Sequence, residues 1–351
     1  MTANGATNAP DVVDVVALGE SMVTFLPTTP GRLADVTSFD RGIGGAESNV
    51  VCTLAAAGHA VRWVGRVGAD AFGDHLVAAI GAYGVDVSAV RRDPGRHTGI
   101  YFRTAGDRST DAHEVAYYRA GSAASAMSVA NVDAAAVGAG RILHLSGITA
   151  ALSPDCLHLL RTLTAPRPGR PLISFDVNHR ARLWHSATDA PAVLLDLART
   201  ADIVFVGLDE AEETWGVTGG ADQIRELLPE PGVLVVKDGG RGATAHVHAE
   251  PRTTFAPAPR VTVTAATGAG DAFAAGFLSG TLRNLPVGER LRHGHLMAAA
   301  ALTVPGDLAT PPSRALADRL AALDDQAWET LRLGPGWTAA DDRADEEVRT
   351  P

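Results

Sequence analysis

Short Val-rich runs alternate with Ala- and Leu-rich stretches of helical length along most of the chain, and this rhythm narrows the possible folds more than any other feature. Val12 to Leu18 is an unbroken apolar run closed by Gly19-Glu20. Comparable runs recur at Val61 to Val64, Arg141 to Leu145, Leu172 to Asp176, Asp202 to Val206 and Val233 to Val236. A strand without polar alternation is covered on both faces, as in a parallel sheet. Between the runs lie Asn49 to Ala57, Asp74 to Tyr83, Ser153 to Thr164 and Ala190 to Thr200. The alternation predicts an α/β fold around a central parallel sheet.

Two stretches break the rhythm. Met22 to Leu26 with Thr37 to Arg41, and Gly99 to Thr104 with Glu114 to Arg119, read as hairpin strands, the second pair joined by the polar turn Gly106 to His113. They predict a small antiparallel sheet, spanning 21–44 and 97–120, inserted into one main domain over 14–330. Residues 1–11 and 335–351 are expected to be flexible tails.

The 30 basic and 40 acidic side chains leave a formal charge of −10. A nucleic-acid partner calls for the opposite balance and is not expected. Holding an anionic substrate then falls to a few placed arginines. Two cysteines, Cys52 and Cys156, are too few for a disulfide framework, which points to a reducing compartment. Met1 to Pro10 has no basic or apolar leader pattern, and no apolar run reaches membrane-spanning length. A cytoplasmic protein with no membrane contact is expected. His246 with His248, and His293 with His295, have no third ligand nearby in sequence, so zinc is not expected.

The strongest chemical signal is Thr267-Gly268-Ala269-Gly270-Asp271, between the β-rich segment Arg260 to Thr264 and the helical pattern Ala272 to Leu282. Small residues opening a helix bare their amides, and the helix dipole adds positive charge, which suits a phosphate. An Asp in the first turn also serves as a simple helix start. Gly42 to Asn49 holds Gly44-Gly45 and opens another helix, where Asn49 can cap the helix or hold a sugar hydroxyl. Lys237 is the sole Lys of the chain, in Lys237-Asp238-Gly239-Gly240-Arg241-Gly242.

Gly44-Gly45 with Asn49 early, and Gly268 to Asp271 late, resemble the ribokinase-type (pfkB) family of carbohydrate kinases. Leu18-Gly19-Glu20, Tyr117 to Ala123, His144 to Thr149, and Asp176 to Arg180 with Leu183-Trp184 resemble its 2-keto-3-deoxygluconate kinase branch. The resemblance runs from about residue 14 to 330. It implies a doubly wound, mostly parallel sheet flanked by helices, with a small β-sheet lid, and an enzyme using ATP and Mg²⁺.

The resemblance makes Asp271 the general base. Its ordinary pKa of about 3.9 would keep it ionised and weakly basic. The amides of Gly268, Ala269 and Gly270 would steady the transferring phosphoryl group. It also makes Glu210, in Gly207-Leu208-Asp209-Glu210, the magnesium residue, with Gly207 where the family has Asn. Lys237, Gly239, Gly242 and Gly268 would meet the nucleotide. Gly45, Asn49, Tyr101, Tyr117, Arg119, Ile148, Arg180 and Asp307 would line the sugar pocket. Arg119 and Arg180 would grip the carboxylate of a sugar acid. Ala265-Ala266 stand where many members carry Asp-Thr, so a weak response to K⁺ is expected. The lid is expected to join subunits into a homo-oligomer. Kinases of fructose, ribose or 5-dehydro-2-deoxygluconate share several of these strings. A sugar-binding protein without turnover is the reading from another class; Gly207 and Ala265 favour it, and intact Asp271 opposes it.

Overall fold

The computed structural model describes residues 12–104, 114–184, 189–250 and 252–339. Met1 to Asp11, the turn Gly106 to His113 and residues 340–351 lie outside the described residues.

Eight strands form the main sheet, in the order β14 (Thr254–Pro257), β13 (Gly242–Val247), β12 (Val233–Asp238), β11 (Ile203–Gly207), β10 (Leu172–Asp176), β9 (Gly140–Ser146), β1 (Val13–Leu18) and β4 (Val61–Val64). Every neighbouring pair from β4 to β12 is parallel. Only β13 and β14 turn back antiparallel at one edge. The unbroken apolar runs are the parallel strands.

Successive side chains of a strand point to opposite faces, so each strand feeds two cores. Val16 and Leu18, with Leu143, Phe175 and Val206, enter one apolar layer. It packs on α5 (Pro154–Thr164), α6 (Ala190–Thr200), α7 (Leu208–Trp215) and α8 (Gly220–Leu227). Val15 and Ala17, with Ile142, Phe205 and Val235, enter the other. There the partners are α1 (Ala46–Ala56), α2 (Ala71–Ala82), α9 (Ala269–Leu282) and α10 (Val287–Leu302). Short helices α3 (Ala134–Gly138) and α4 (Gly147–Ala151) flank β9, and α11 (Arg314–Ala321) and α12 (Asp325–Thr330) close the chain. Both faces are thus covered by helices, as the doubly wound reading expects.

The lid is a four-stranded sheet in the order β3 (Phe39–Gly44), β2 (Met22–Pro27), β7 (Ile100–Arg103) and β8 (Val115–Tyr118). Each expected pair is an antiparallel hairpin. The two hairpins meet through a parallel pairing of β2 with β7, which local patterning does not specify. Phe25 stacks on Phe102 at 4.8 Å across that pairing and fixes its register. Smaller two-stranded pairs join β5 (Arg66–Gly68) to β6 (Arg91–Asp93) and β15 (Arg260–Val261) to β16 (Arg332–Leu333). The strand expected over Arg260 to Thr264 is therefore shorter, and its partner comes from near the C-terminus. Residues 335–339, expected to belong to a flexible tail, include a helical turn whose Trp337 packs on the cluster around Trp328.

α9 and α10 carry the site's floor, and they approach closely because Gly276 has no side chain. A Cβ there would lie 2.3 Å from the His293 carbonyl oxygen, which is backbone and has no easy way to yield. Gly276→Ala is therefore expected to cost about 1–3 kcal/mol by overpacking. Chemical denaturation would measure it, and an unchanged midpoint would contradict this account of the helix contact.

Candidate active site

The residues singled out from the sequence gather where parallel strands end. Gly19-Glu20 follow β1, Ile148 follows β9, Asp176 closes β10, Glu210 follows β11 and Lys237 lies near the end of β12. In open α/β sheets the carboxyl ends of the strands are where ligands bind.

α9 begins beside these ends. Gly268 precedes it in the left-handed region (φ 78°). A side chain there is excluded twice, by φ and by the Asp307 carbonyl oxygen, 2.2 Å from where a Cβ would stand. The amides at the helix start are left without a side-chain cap, as an anion hole requires.

Asp271 lies in the first turn of α9. Burial pushes its carboxyl up to about 7; the bond from Asn49 and the charges of Lys237 and Arg180 pull down, while Asp176 pushes up. The ordinary pKa assumed from the sequence is therefore wrong in the direction that matters. The group is a far better proton acceptor than a surface Asp, because its environment disfavours the charge. Asn49 Nδ2 donates to Asp271 Oδ2 at 2.8 Å, so Asn49 orients the acid in addition to any contact with a sugar.

Tyr101 and Asp307, both expected in the sugar pocket, bind each other. The Tyr101 hydroxyl donates to Asp307 Oδ2 at 2.7 Å. The other oxygen, Oδ1, accepts from Arg103 Nη2 at 2.8 Å, and Arg103 also donates to the Pro305 carbonyl at 3.0 Å. Both Arg103 and Asp307 are buried. Arg103 was not singled out from the sequence, although strand alternation places it on the same face as Tyr101. Gly44 is small for the same cluster: a Cβ would lie 2.4 Å from the Tyr101 hydroxyl oxygen. Gly45 is small for the Glu20 carbonyl, 2.4 Å from its Cβ position.

Arg119 does not stand free for a substrate. Its Nη2 pairs with Glu20 Oε2, both side chains are buried, and Ser122 Oγ donates to Glu20 Oε1 at 2.5 Å. The guanidinium also lies 5.8 Å from the centre of the Tyr117 ring, whose side is open to solvent. Arg180 differs: Nη1 donates to the His179 carbonyl at 2.8 Å, and no carboxylate pairs with it among the described residues. Asn178 takes φ 42°, and the Arg180 charge lowers the pKa of Asp271. Of the two arginines expected to grip a carboxylate, Arg119 is thus paired with Glu20, and Arg180 has no carboxylate at ion-pair distance among the described residues.

Lys237 Nζ donates to Asp176 Oδ1 and Oδ2 at 3.2 and 3.0 Å. Burial lowers its pKa, but Asp176 and Glu210 outweigh this and hold the ammonium above its usual range. Its Nζ lies 3.6 Å from the Cβ position of Gly270, so the charge sits beside the start of α9. Gly239 occupies the left-handed region (φ 50°) in the turn between β12 and β13. Gly242 is small because β14 crosses it, with the Ala256 carbonyl oxygen 2.4 Å from the Cβ position.

Glu210 is committed to the backbone. Oε1 accepts from the His179 amide, and Oε2 accepts from Gly207 N at 3.0 Å. Its pKa is raised by burial and by Asp176. No group of three His, Cys, Asp or Glu side chains forms a metal site among the described residues. Asp176 and Glu210 outnumber Lys237, however, and that surplus fits a hydrated dication arriving with phosphates rather than a dry, protein-ligated ion. His293 and His295 are buried in α10, where His295 packs against Phe273, whereas His246 is buried on β13 and His248 is exposed beyond it.

The pfkB family of carbohydrate kinases matches residues 13–314. The 2-dehydro-3-deoxygluconokinase of Bacillus subtilis (strain 168) is 33% identical over 86% of this chain and 93% of its own. The probable fructokinase-6, chloroplastic, of Arabidopsis thaliana is 32% identical over 83% of this chain and 77% of its own. The crystal structure of a PfkB protein from Polaromonas sp. JS666 superposes with a TM-score of 0.76 at 34% identity, covering 87% of this chain and 99% of that one. Fold and sequence agree, and the chain belongs to the pfkB family of carbohydrate kinases.

Proposed function

We propose that this sugar kinase transfers the γ-phosphoryl group of ATP to the terminal hydroxyl of 2-keto-3-deoxygluconate or a close keto-sugar acid. The observation that carries the acid is Arg180. It is an arginine beside the base with no carboxylate partner among the described residues. A neutral hexose leaves that charge unanswered, whereas a carboxylate answers it bidentately. The relation to 2-dehydro-3-deoxygluconokinases supports the same choice. The fructokinase relation supports fructose as the second reading.

In the reaction, the sugar hydroxyl oxygen attacks the γ-phosphorus while its proton passes to Asp271. The bridging bond to the β-phosphate breaks, and ADP leaves. The amides at the start of α9 and the Lys237 ammonium face the charge that grows on the phosphoryl oxygens. Magnesium would supply further charge neutralisation there, held through water by Glu210 and Asp176. Tyr101, Asp307, Asn49 and Ile148 would shape the sugar side, with Arg119 fixed by Glu20 as a wall.

Because Asp271 must be ionised to accept a proton, kcat/KM is expected to fall as pH drops below about 7. Asp271→Asn is expected to lower kcat by roughly a hundred- to ten-thousandfold while sugar binding persists. Steady-state kinetics with Mg-ATP and calorimetric sugar binding test both, and a near-wild-type kcat would refute the assignment.

Arg180→Ala removes a charge-assisted bond worth about 1.5–3 kcal/mol, or roughly ten- to a hundredfold in kcat/KM for the sugar acid. The same change is expected to leave a neutral ketose almost unaffected. Equal turnover of fructose and the keto acid by the wild type would shift the reading to fructokinase.

The edge strand of the lid, β8, exposes Tyr117 and Tyr118, 49% and 60% accessible. We propose that a second copy of the chain covers them. Light scattering at micromolar concentration is expected to give a homo-oligomer, most simply a dimer, and a monomer mass would reject the lid contact.

A further inference from the structure

The Leu18-Gly19-Glu20 turn faces a carboxyl group that phosphoryl transfer does not use. Glu47, in the first turn of α1, is fully buried, at 0% exposure. Its carboxyl fills the space left by Gly19, where a Cβ would lie 2.1 Å from Glu47 Cδ. Oε1 accepts a 2.6 Å bond from the Thr149 hydroxyl, and Oε2 has no partner among the described residues. As a carboxylate, Glu47 would be a buried anion with one side-chain hydrogen bond and no ion-pair partner, which is costly; as an acid it is tolerated. Thr149 stands beside Ile148 at the start of α4, and Glu47 stands just before Asn49 at the start of α1.

We propose that Glu47 is a positioning residue that works as a neutral acid, tying the Asn49 end of α1 to the Ile148 end of α4, and that its ionisation ends activity on the alkaline side. The inference rests on the kinase reading above. Gly19 and Thr149 supply the geometry, and the surrounding charges agree with it. Burial pushes the Glu47 carboxyl up to about 8; the bonds from Thr149 and from its own backbone amide pull down, Asp271 of α9 pushes up, and Arg119 pulls down. The other charged or titratable groups near α1 are engaged elsewhere. Glu20 at the end of β1 holds Arg119 and Ser122, and Asp14 in β1 faces His59. Arg62 in β4 pairs with Asp86, and His144 in β9 bonds Ser174 and is lowered to about 4 by burial. An anionic Glu47 would oppose the charge of Asp271 and strain the helix starts that orient it.

The test compares the wild type with Glu47→Gln and Thr149→Val in two measurements across pH. In kinetics, Glu47→Gln is expected to keep kcat/KM near neutral pH within about threefold, and to lack the wild-type decline near pH 8. Thr149→Val removes a bond that favours the anion, so its alkaline decline is expected at higher pH, with a lower kcat/KM at neutral pH. In thermal unfolding, a raised pKa in the folded state means that the unfolded chain releases the proton first. The wild type therefore loses stability relative to Glu47→Gln as pH rises from 4.5 to about 8, and the gap in Tm is level above that. A tenfold or greater loss in Glu47→Gln at neutral pH, an alkaline limb shared with the wild type, or a Tm gap independent of pH overturns the proposal. Should Glu47→Gln fail to fold, an unshifted alkaline limb in Thr149→Val overturns it instead. The unfolding measurement needs no turnover, so a chain that phosphorylates no sugar would defeat the kinase reading and leave this result standing separately.

Discussion

The contact between Gly268 and the backbone of Asp307 is the constraint on which the rest of the site depends. It brings the start of α9 against the segment that follows α10, closer than any side chain would permit. Asp307 then faces the lid, where Tyr101 and Arg103 occupy its two oxygens. One residue thus joins the anion hole, through its carbonyl, to the lid, through its carboxylate. Arg103 and Asp307 are both buried, so removing either would leave the other as an uncompensated charge in the interior. A second buried pair, Arg119 with Glu20, fastens the chain leaving the lid to the end of β1. In both pairs the arginine comes from the lid side and the carboxylate from the main domain.

How much of this is legible in the sequence depends on the range of the interaction. The parallel strands are legible because burial on both faces removes polar alternation within a few residues. The glycine-rich start of α9 is legible because small residues beside an Asp have a local cause. The parallel pairing of β2 with β7 is not, since a strand's own pattern carries no information about its neighbour's direction. Residues 335–339 illustrate a related point. Pro335-Gly336-Trp337-Thr338-Ala339 carries no helical or strand pattern of its own, but Trp337 finds a cluster built from distant helices.

Among the functional residues the same distinction holds. Asp271 is read as the base from its motif, but its proton affinity is set by burial and by Asn49, Asp176, Lys237 and Arg180, which arrive from other elements. Arg119 and Arg180 look alike in sequence, and only the partner of each separates them. Glu20 is spent on the first, whereas the second keeps its charge. Arg103 could have been found by following the alternation of β7 from Tyr101. Glu47 could not, because its cavity is the missing side chain of Gly19, in the turn after β1.

Under the reaction proposed above, the charges at the strand ends also bear on how Asp271 would act as the base. Burial already raises the Asp271 carboxyl to about 7 in the protein without ligands. A sugar bound between lid and sheet would exclude more water and remove solvation from the carboxylate further, raising its affinity for a proton. Asn49, Lys237 and Arg180 oppose this and keep enough of the group ionised for it to accept one. Proton transfer from the attacking hydroxyl then discharges a buried anion at the moment when negative charge builds on the phosphoryl oxygens nearby. The cost of burying Asp271 in the resting protein is thereby relieved along the reaction coordinate, so the interaction is stronger in the transition state than in the ground state. Differential stabilisation of that kind is what accelerates a chemical step.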